Sequence, residues 1–153
     1  MAEQPGPAAE EGITITRVFD APREEVWKEW TKPERFADWY GGSEAEVPLS
    51  TVSMDVRPGG WWRLTMFAPR GEIHWEGQYR EVVEPERLVF TVTDRPGEET
   101  REFVSVVLTD LGDGRTEMRF EQRGGTLPPE GYERARQGWS TFFDRIAERL
   151  ADA

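Results

Sequence analysis

Between Val47 and Arg123 the apolar residues recur at every second position, while on both sides of that stretch they recur at helical spacing. A chain written this way predicts antiparallel strands enclosed by helices. Turn signals at Arg57–Gly60 (RPGG), Glu84–Glu86 (EPE), Asp94–Gly97 (DRPG) and Gly112–Gly114 (GDG) punctuate six strands. The alternation is cleanest in Thr116–Gln122, where Met118 and Phe120 face one way and Glu117, Arg119 and Glu121 the other. By the same rule Met54, Val56, Trp62, Leu64, Met66, Leu88, Phe90, Val92, Val104, Val106 and Leu108 point inward. One face is therefore packed and the other wetter, as an antiparallel sheet allows. The fourth strand breaks the rule, because Ile73, Trp75 and Tyr79 share one parity while His74 and Val82 hold the other.

Upstream, the β-branched run from Ile13 predicts a first strand, with Ile13, Ile15 and Arg17 on one side and Thr14, Thr16 and Val18 on the other. Pro22 then opens a short helix whose Val26, Trp27 and Trp30 share a face, since a proline at a helix start loses no hydrogen bond. Pro33 opens a second, carrying Phe36, Trp39 and Tyr40, and Gly41 and Gly42 end it. Downstream of Pro129, Tyr132, Ala135, Trp139, Phe142, Phe143, Ile146 and Leu150 form the apolar stripe of a long helix. Gly138 interrupts that helix at a cost of ~1 kcal/mol relative to Ala, tolerable if a strand or ligand must approach closely there. The order is strand, two helices, six strands, helix, an α+β protein. Residues 1–12, rich in Pro, Ala, Glu and Gly, are expected to be a disordered tail ahead of one domain over residues 13–150.

The formal net charge of −11, from 30 acidic against 19 basic residues, excludes the clustered cations that nucleic acid or an anionic membrane surface requires. Without cysteine there is no disulfide, thiolate nucleophile or Cys-based metal site. No apolar run reaches the ~20 residues of a membrane span, and Met1–Gly12 lacks the pattern of a secretion signal, so a cytoplasmic location is expected.

With a single His and no Cys, a zinc site lacks ligands; no Walker loop, nucleophile elbow or dinucleotide fingerprint is present, and no cofactor or metal is expected. His74 lies beside Glu76, a carboxylate able to poise it as an acid or base, yet its parity opposes Trp75 and Tyr79 and predicts a surface position. Asp55 with Arg57 and Glu81 with Arg87 are expected to be solvated ion pairs. The surplus is aromatic: seven Trp, eight Phe and three Tyr. Trp39, Tyr40, Trp62, Met66, Trp75, Tyr79, Phe120, Trp139 and Phe143 are the candidates to line an apolar ligand pocket, against the alternative of a filled core.

Ala21-Pro22 followed by Val26-Trp27, Pro33 through Trp39, the turn Asp55–Gly60, Glu84–Leu88 and the Gly138-Trp139 pair, taken in order, resemble the START-like family related to activators of heat-shock-protein-90 ATPase. The resemblance spans about residues 13–150 and implies a helix-grip fold, a curved sheet of about seven strands around the last helix. It also implies a cavity that relatives use for lipids, polyketides, hormones or protein contacts. The leading expectation is a binding protein for a small apolar or aromatic molecule held between sheet and last helix. A polyketide-cyclase-like enzyme, moving protons through Tyr79, His74 or a buried carboxylate, is the alternative. A chaperone-associated module ranks last, because the ATPase activators carry an additional N-terminal domain that a 12-residue tail does not supply. A homodimer is left open.

Overall fold

A computed structural model describes residues 12–42, 45–96, 102–125 and 128–151. The expected tail lies outside these, except for Gly12, which opens β1 opposite Arg123. The chain runs β1 (Gly12–Phe19), α1 (Arg23–Thr31), α2 (Pro33–Trp39), a short 3-10 turn (Leu49–Thr51), β2 (Ser53–Met54), β3 (Trp61–Ala68), β4 (Gly71–Val83), β5 (Arg87–Val92), β6 (Glu102–Gly112), β7 (Arg115–Arg123) and α3 (Pro129–Ala151).

All strands join one antiparallel, curved sheet in the order β1-β7-β6-β5-β4-β3-β2. From β2 to β7 each strand pairs with its sequence neighbour, as short connections dictate. β1 instead crosses to the far edge and pairs with β7, so that the loop from Phe19 and the two short helices close over the inner face. The register aligns Ile15 with Phe120, Phe120 with Val106, and Val106 with Leu88, and these side chains are all buried. β2 is only two residues long because the chain curls at once, Arg57 N–H donating to the Asp55 carbonyl and Gly60 N–H to that of Arg57.

The ambiguity in the fourth strand has a definite cause. A β-bulge falls between Tyr79 and Glu81, adding one residue to β4 and reversing its parity. Before it, Trp75 lies opposite Leu64 and Tyr79 opposite Phe90, on the inner face; after it, Val82 lies opposite Leu88 and packs against the core. His74 is left on the outer face. Gly77 carries no side chain for a steric reason: its Cβ would overlap the Thr91 carbonyl oxygen and the Trp62 indole nitrogen, which donates to that oxygen at 3.1 Å.

α3 lies across the inner face and buries Trp139, Phe143, Ile146 and Leu150. Arg17 ties β1 to it, reaching the Ser140 carbonyl at 3.2 Å and the Asp144 carboxylate at 2.9 Å. The three helices meet at Glu29 of α1, which is 1% exposed. Arg149 of α3 donates to Glu29 Oε1 at 2.8 Å, Arg35 of α2 approaches Oε2 at 3.5 Å, and Arg149 and Arg145 both engage Asp38 of α2. Burying a carboxylate costs several kcal/mol unless cations meet it, and here two do. Among the described residues no helix is long and apolar enough to cross a membrane.

Candidate functional site

The inner face of the sheet, the end of α2 and the middle of α3 enclose an aromatic nest, and all nine candidate lining residues belong to it. Trp39 and Tyr40 come from the end of α2, Trp62 and Met66 from β3, Trp75 and Tyr79 from β4, Phe120 from β7, and Trp139 and Phe143 from α3. Eight of them are buried, and Trp75 is half-buried.

The nest has a deep part and a shallower end, its mouth, around the half-buried Trp75 and Glu102. At its centre lies Trp30, which the helical pattern placed on a buried face but which was not among the candidates. Its ring meets Trp39 edge-on at 4.8 Å, stacks near Phe120 and Trp139 at 6.3 Å, and approaches Phe143 at 6.1 Å. Trp39 is closed off from solvent, and its indole N–H donates to the Glu29 carbonyl at 2.7 Å. Trp39, Phe120 and Phe143 thus pack as core. Tyr40 belongs to the mouth, its ring 5.8 Å from both Trp75 and Trp139 and edge-on to each. Met66 closes in beside Gly41, whose positive φ of 101° turns the chain out of α2 directly after Tyr40.

Polar groups gather at the mouth. Glu102 and Gln122 occupy inward-facing positions: Glu102 lies opposite Val92, and Gln122 opposite Val104. Trp139 Nε1 donates to Gln122 Oε1 at 2.6 Å, and Gln122 Nε2 donates in turn to Glu102 Oε1. Gly125 makes room for that carboxylate, since a Cβ there would overlap it. Burial pushes the Glu102 carboxyl above the usual carboxylate range; the Gln122 hydrogen bond opposes the shift and the Asp94 charge adds to it. Among the described residues no Arg or Lys lies within ion-pair distance of Glu102. Burial, assisted by Asp94 and Glu102, raises the Tyr40 hydroxyl far above its ordinary value, and burial with Asp55 does the same to Tyr79. Both phenols therefore stay protonated at neutral pH.

Two observations mark space or unmet hydrogen bonding. The indole N–H groups of Trp30 and Trp75 are buried without a hydrogen-bond partner. A Cβ at Gly138 would meet nothing within 4 Å. Of the two reasons expected for that glycine, a close approach by a strand is not seen among the described residues, and the helix has open room there, one residue before Trp139.

The remaining candidates lie elsewhere. His74 is exposed on the outer face, with Nδ1 3.2 Å from Thr65 Oγ1 and Nε2 3.3 Å from Glu72. Asp55–Arg57 at 2.9 Å and Glu81–Arg87 at 2.7 Å are exposed pairs. Among the described residues no group of three or more His, Asp or Glu assembles that could hold a metal ion. Glu102 and Gln122 escaped the candidate set, although the alternation carried their signal: the inward parity of Val104, Val106 and Leu108 extends back to Glu102, and that of Met118 and Phe120 forward to Gln122.

Residues 20–151 match the model of the family described as Activator of Hsp90 ATPase homolog 1-like protein. This chain belongs to that family. No curated protein matches it. Among solved structures, a protein of Nitrosomonas europaea is 25% identical with a TM-score of 0.81, the match covering 94% of this chain and 96% of that one. A protein of Chromobacterium violaceum is 24% identical, with a TM-score of 0.78 over 92% of this chain and 97% of the other. The AHSA1 protein of Silicibacter pomeroyi is 22% identical, also with a TM-score of 0.78, covering 92% of this chain and 97% of its own. These likenesses show that the fold recurs in all three proteins over more than nine-tenths of this chain.

Proposed function

We propose that the chain is a binding protein for a small apolar or aromatic molecule, which enters between the first half of α3 and the end of the sheet formed by Trp75, Glu102 and Gln122. The observation that carries this reading is the relay from Trp139 through Gln122 to Glu102, built at sheet positions that face the core. A side chain there serves packing best when apolar, and a half-buried carboxylate that no cation of the described residues meets costs stability. Such a departure from packing logic inside an aromatic nest is the composition of a ligand site: apolar walls and a few converging polar groups. The unpartnered Trp75 N–H supports the same end of the nest, since a buried donor is expected to find an acceptor, here an oxygen or nitrogen of the ligand. Tyr40, Trp62, Met66, Trp75, Tyr79 and Trp139 form the lining in this reading, with Trp39, Phe120 and Phe143 as the floor.

The test is a titration of the purified chain with N-phenylnaphthylamine, read by quenching of tryptophan fluorescence. Saturable binding is expected, weakened about tenfold by Trp75→Leu, a half-buried position where the change leaves the fold intact. No saturable signal in the wild-type chain would overturn the proposal.

Glu102 also favours the enzyme alternative over one built on His74. A carboxyl of raised pKa facing a bound aromatic is placed to exchange a proton with it, whereas His74 lies on the opposite face. In that case Glu102→Gln would abolish turnover and leave binding of the neutral ligand unchanged.

A further inference from the structure

We infer that the mouth of the nest recognises an organic ammonium group, so that the ligand is a protonated amine carried on an apolar or aromatic body. The inference deepens the binding-protein reading and rests on it.

Three features of the mouth converge on a cation. The first is Glu102. Of its acceptor capacity the described residues use only the Gln122 amide. The relay runs one way, indole N–H to Gln122 oxygen and Gln122 N–H to carboxylate, so each donor in the chain favours the ionised form of Glu102. The second is the wall around it. Tyr40 packs edge-on with both Trp75 and Trp139, at 5.8 Å from each and with interplanar angles of 84° and 76°, which gathers three rings of differing orientation at one end of the nest. Aromatic faces attract an ammonium through their quadrupoles, and indole does so best. The third is charge. Asp94 acts on Tyr40 and Glu102 alike, no cation of the described residues pairs with Glu102, and the chain carries a net charge of −11.

Other ligand chemistries fit less well. A carboxylate or phosphate would be repelled by the charges of Glu102 and Asp94. A hard metal ion requires several oxygen ligands, and the described residues assemble no group of three. A neutral hydroxyl can donate to Glu102 but leaves the carboxylate's charge uncompensated. An ammonium donates to it, supplies the missing positive charge and meets the rings. The Trp75 N–H is then free to hold an oxygen on the ligand's body, a separate point of attachment.

Calorimetric titration of the full chain with naphthylmethylammonium and with its neutral counterpart, naphthylmethanol, tests this. In the wild type the ammonium is expected to bind at least about tenfold more tightly. Glu102→Gln, which keeps size and an acceptor oxygen but removes the charge, should bring the two probes within about twofold, chiefly by weakening the ammonium. Circular dichroism melts of both proteins check that the variant is folded. Equal affinity for the two probes in the wild type overturns the ammonium inference and leaves the binding-protein reading standing. A preference that survives in Glu102→Gln also overturns it, because the attraction would then come from the overall negative field rather than from this carboxylate. Binding of neither probe overturns the inference together with the reading on which it rests.

Discussion

Glu29 and Glu102 are two carboxylates turned toward the same core, and they are treated in opposite ways. Glu29, between α1 and its neighbours, is almost wholly buried and is met by Arg149 and Arg35, with Asp38 and Arg145 extending the network. Glu102, at the mouth, is half-buried and is met by an amide. A charge that only has to stay buried is neutralised from within the chain, because leaving it unpaired costs several kcal/mol. A charge that no cation of the described residues meets holds an interaction in reserve. The difference separates a structural clasp from the proposed site, and it does so more sharply than burial of aromatic rings, which both regions share.

The strongest way to break this comparison is at the clasp. Glu29→Gln should destabilise the domain by about 3 kcal/mol, measured as a fall in the urea midpoint, because it leaves two arginine side chains facing a neutral group in a buried setting. A loss below about 0.5 kcal/mol would show that the clasp is no more than an exposed ion pair.

At the mouth the second test reverses the sign. Gly138 sits inside α3 with open room around it, so Gly138→Ala should stabilise the protein by about 1 kcal/mol through helix propensity alone. If the room admits ligand, the same substitution should weaken binding of N-phenylnaphthylamine. Destabilisation would mean that the mouth is packed more tightly than its geometry shows.

The smallest effect is expected at Glu102 itself. Its carboxyl is raised above the ordinary value of 4.5, so its contribution to stability is fully present below the unfolded pKa and is lost as pH rises through the folded one. Glu102→Gln should therefore match the wild type at pH below the usual carboxylate range and exceed it at neutral pH. The gain, kept small by partial solvent exposure, is read from melts across pH. A wild type more stable than the variant at neutral pH would reveal a compensating cation and erase the contrast with Glu29.

Much of this architecture was legible along the chain. Helix starts at Pro22 and Pro33, the inward rows of β3, β5, β6 and β7, and the buried stripe of α3 follow from local periods and turn chemistry, which need no knowledge of distant residues. The alternation also gave the outer-face position of His74. It faltered in β4, where one extra residue at the bulge makes Tyr79 and Val82 both inward although their spacing is odd. The aromatic candidates share one nest, but their spacing could not divide its deep part from its shallower end: Trp39 and Tyr40 are adjacent in sequence, yet one donates to a backbone carbonyl in the core and the other feels the charges of Asp94 and Glu102.

Sequence alone determined the order of the elements and which face of each turns inward, because both depend on side chains a few positions apart. The tertiary structure decided which charges are compensated. Glu29 meets Arg149 across 120 positions, a pairing that exists only once α3 has crossed the sheet, while the same closure brings Trp139 to Gln122 and leaves Glu102 without a cation among the described residues. In the one-dimensional text the two glutamates carry the same letter; burial and the distance to the nearest guanidinium, which are properties of the packed molecule, make one a clasp and the other the anchor of the proposed site.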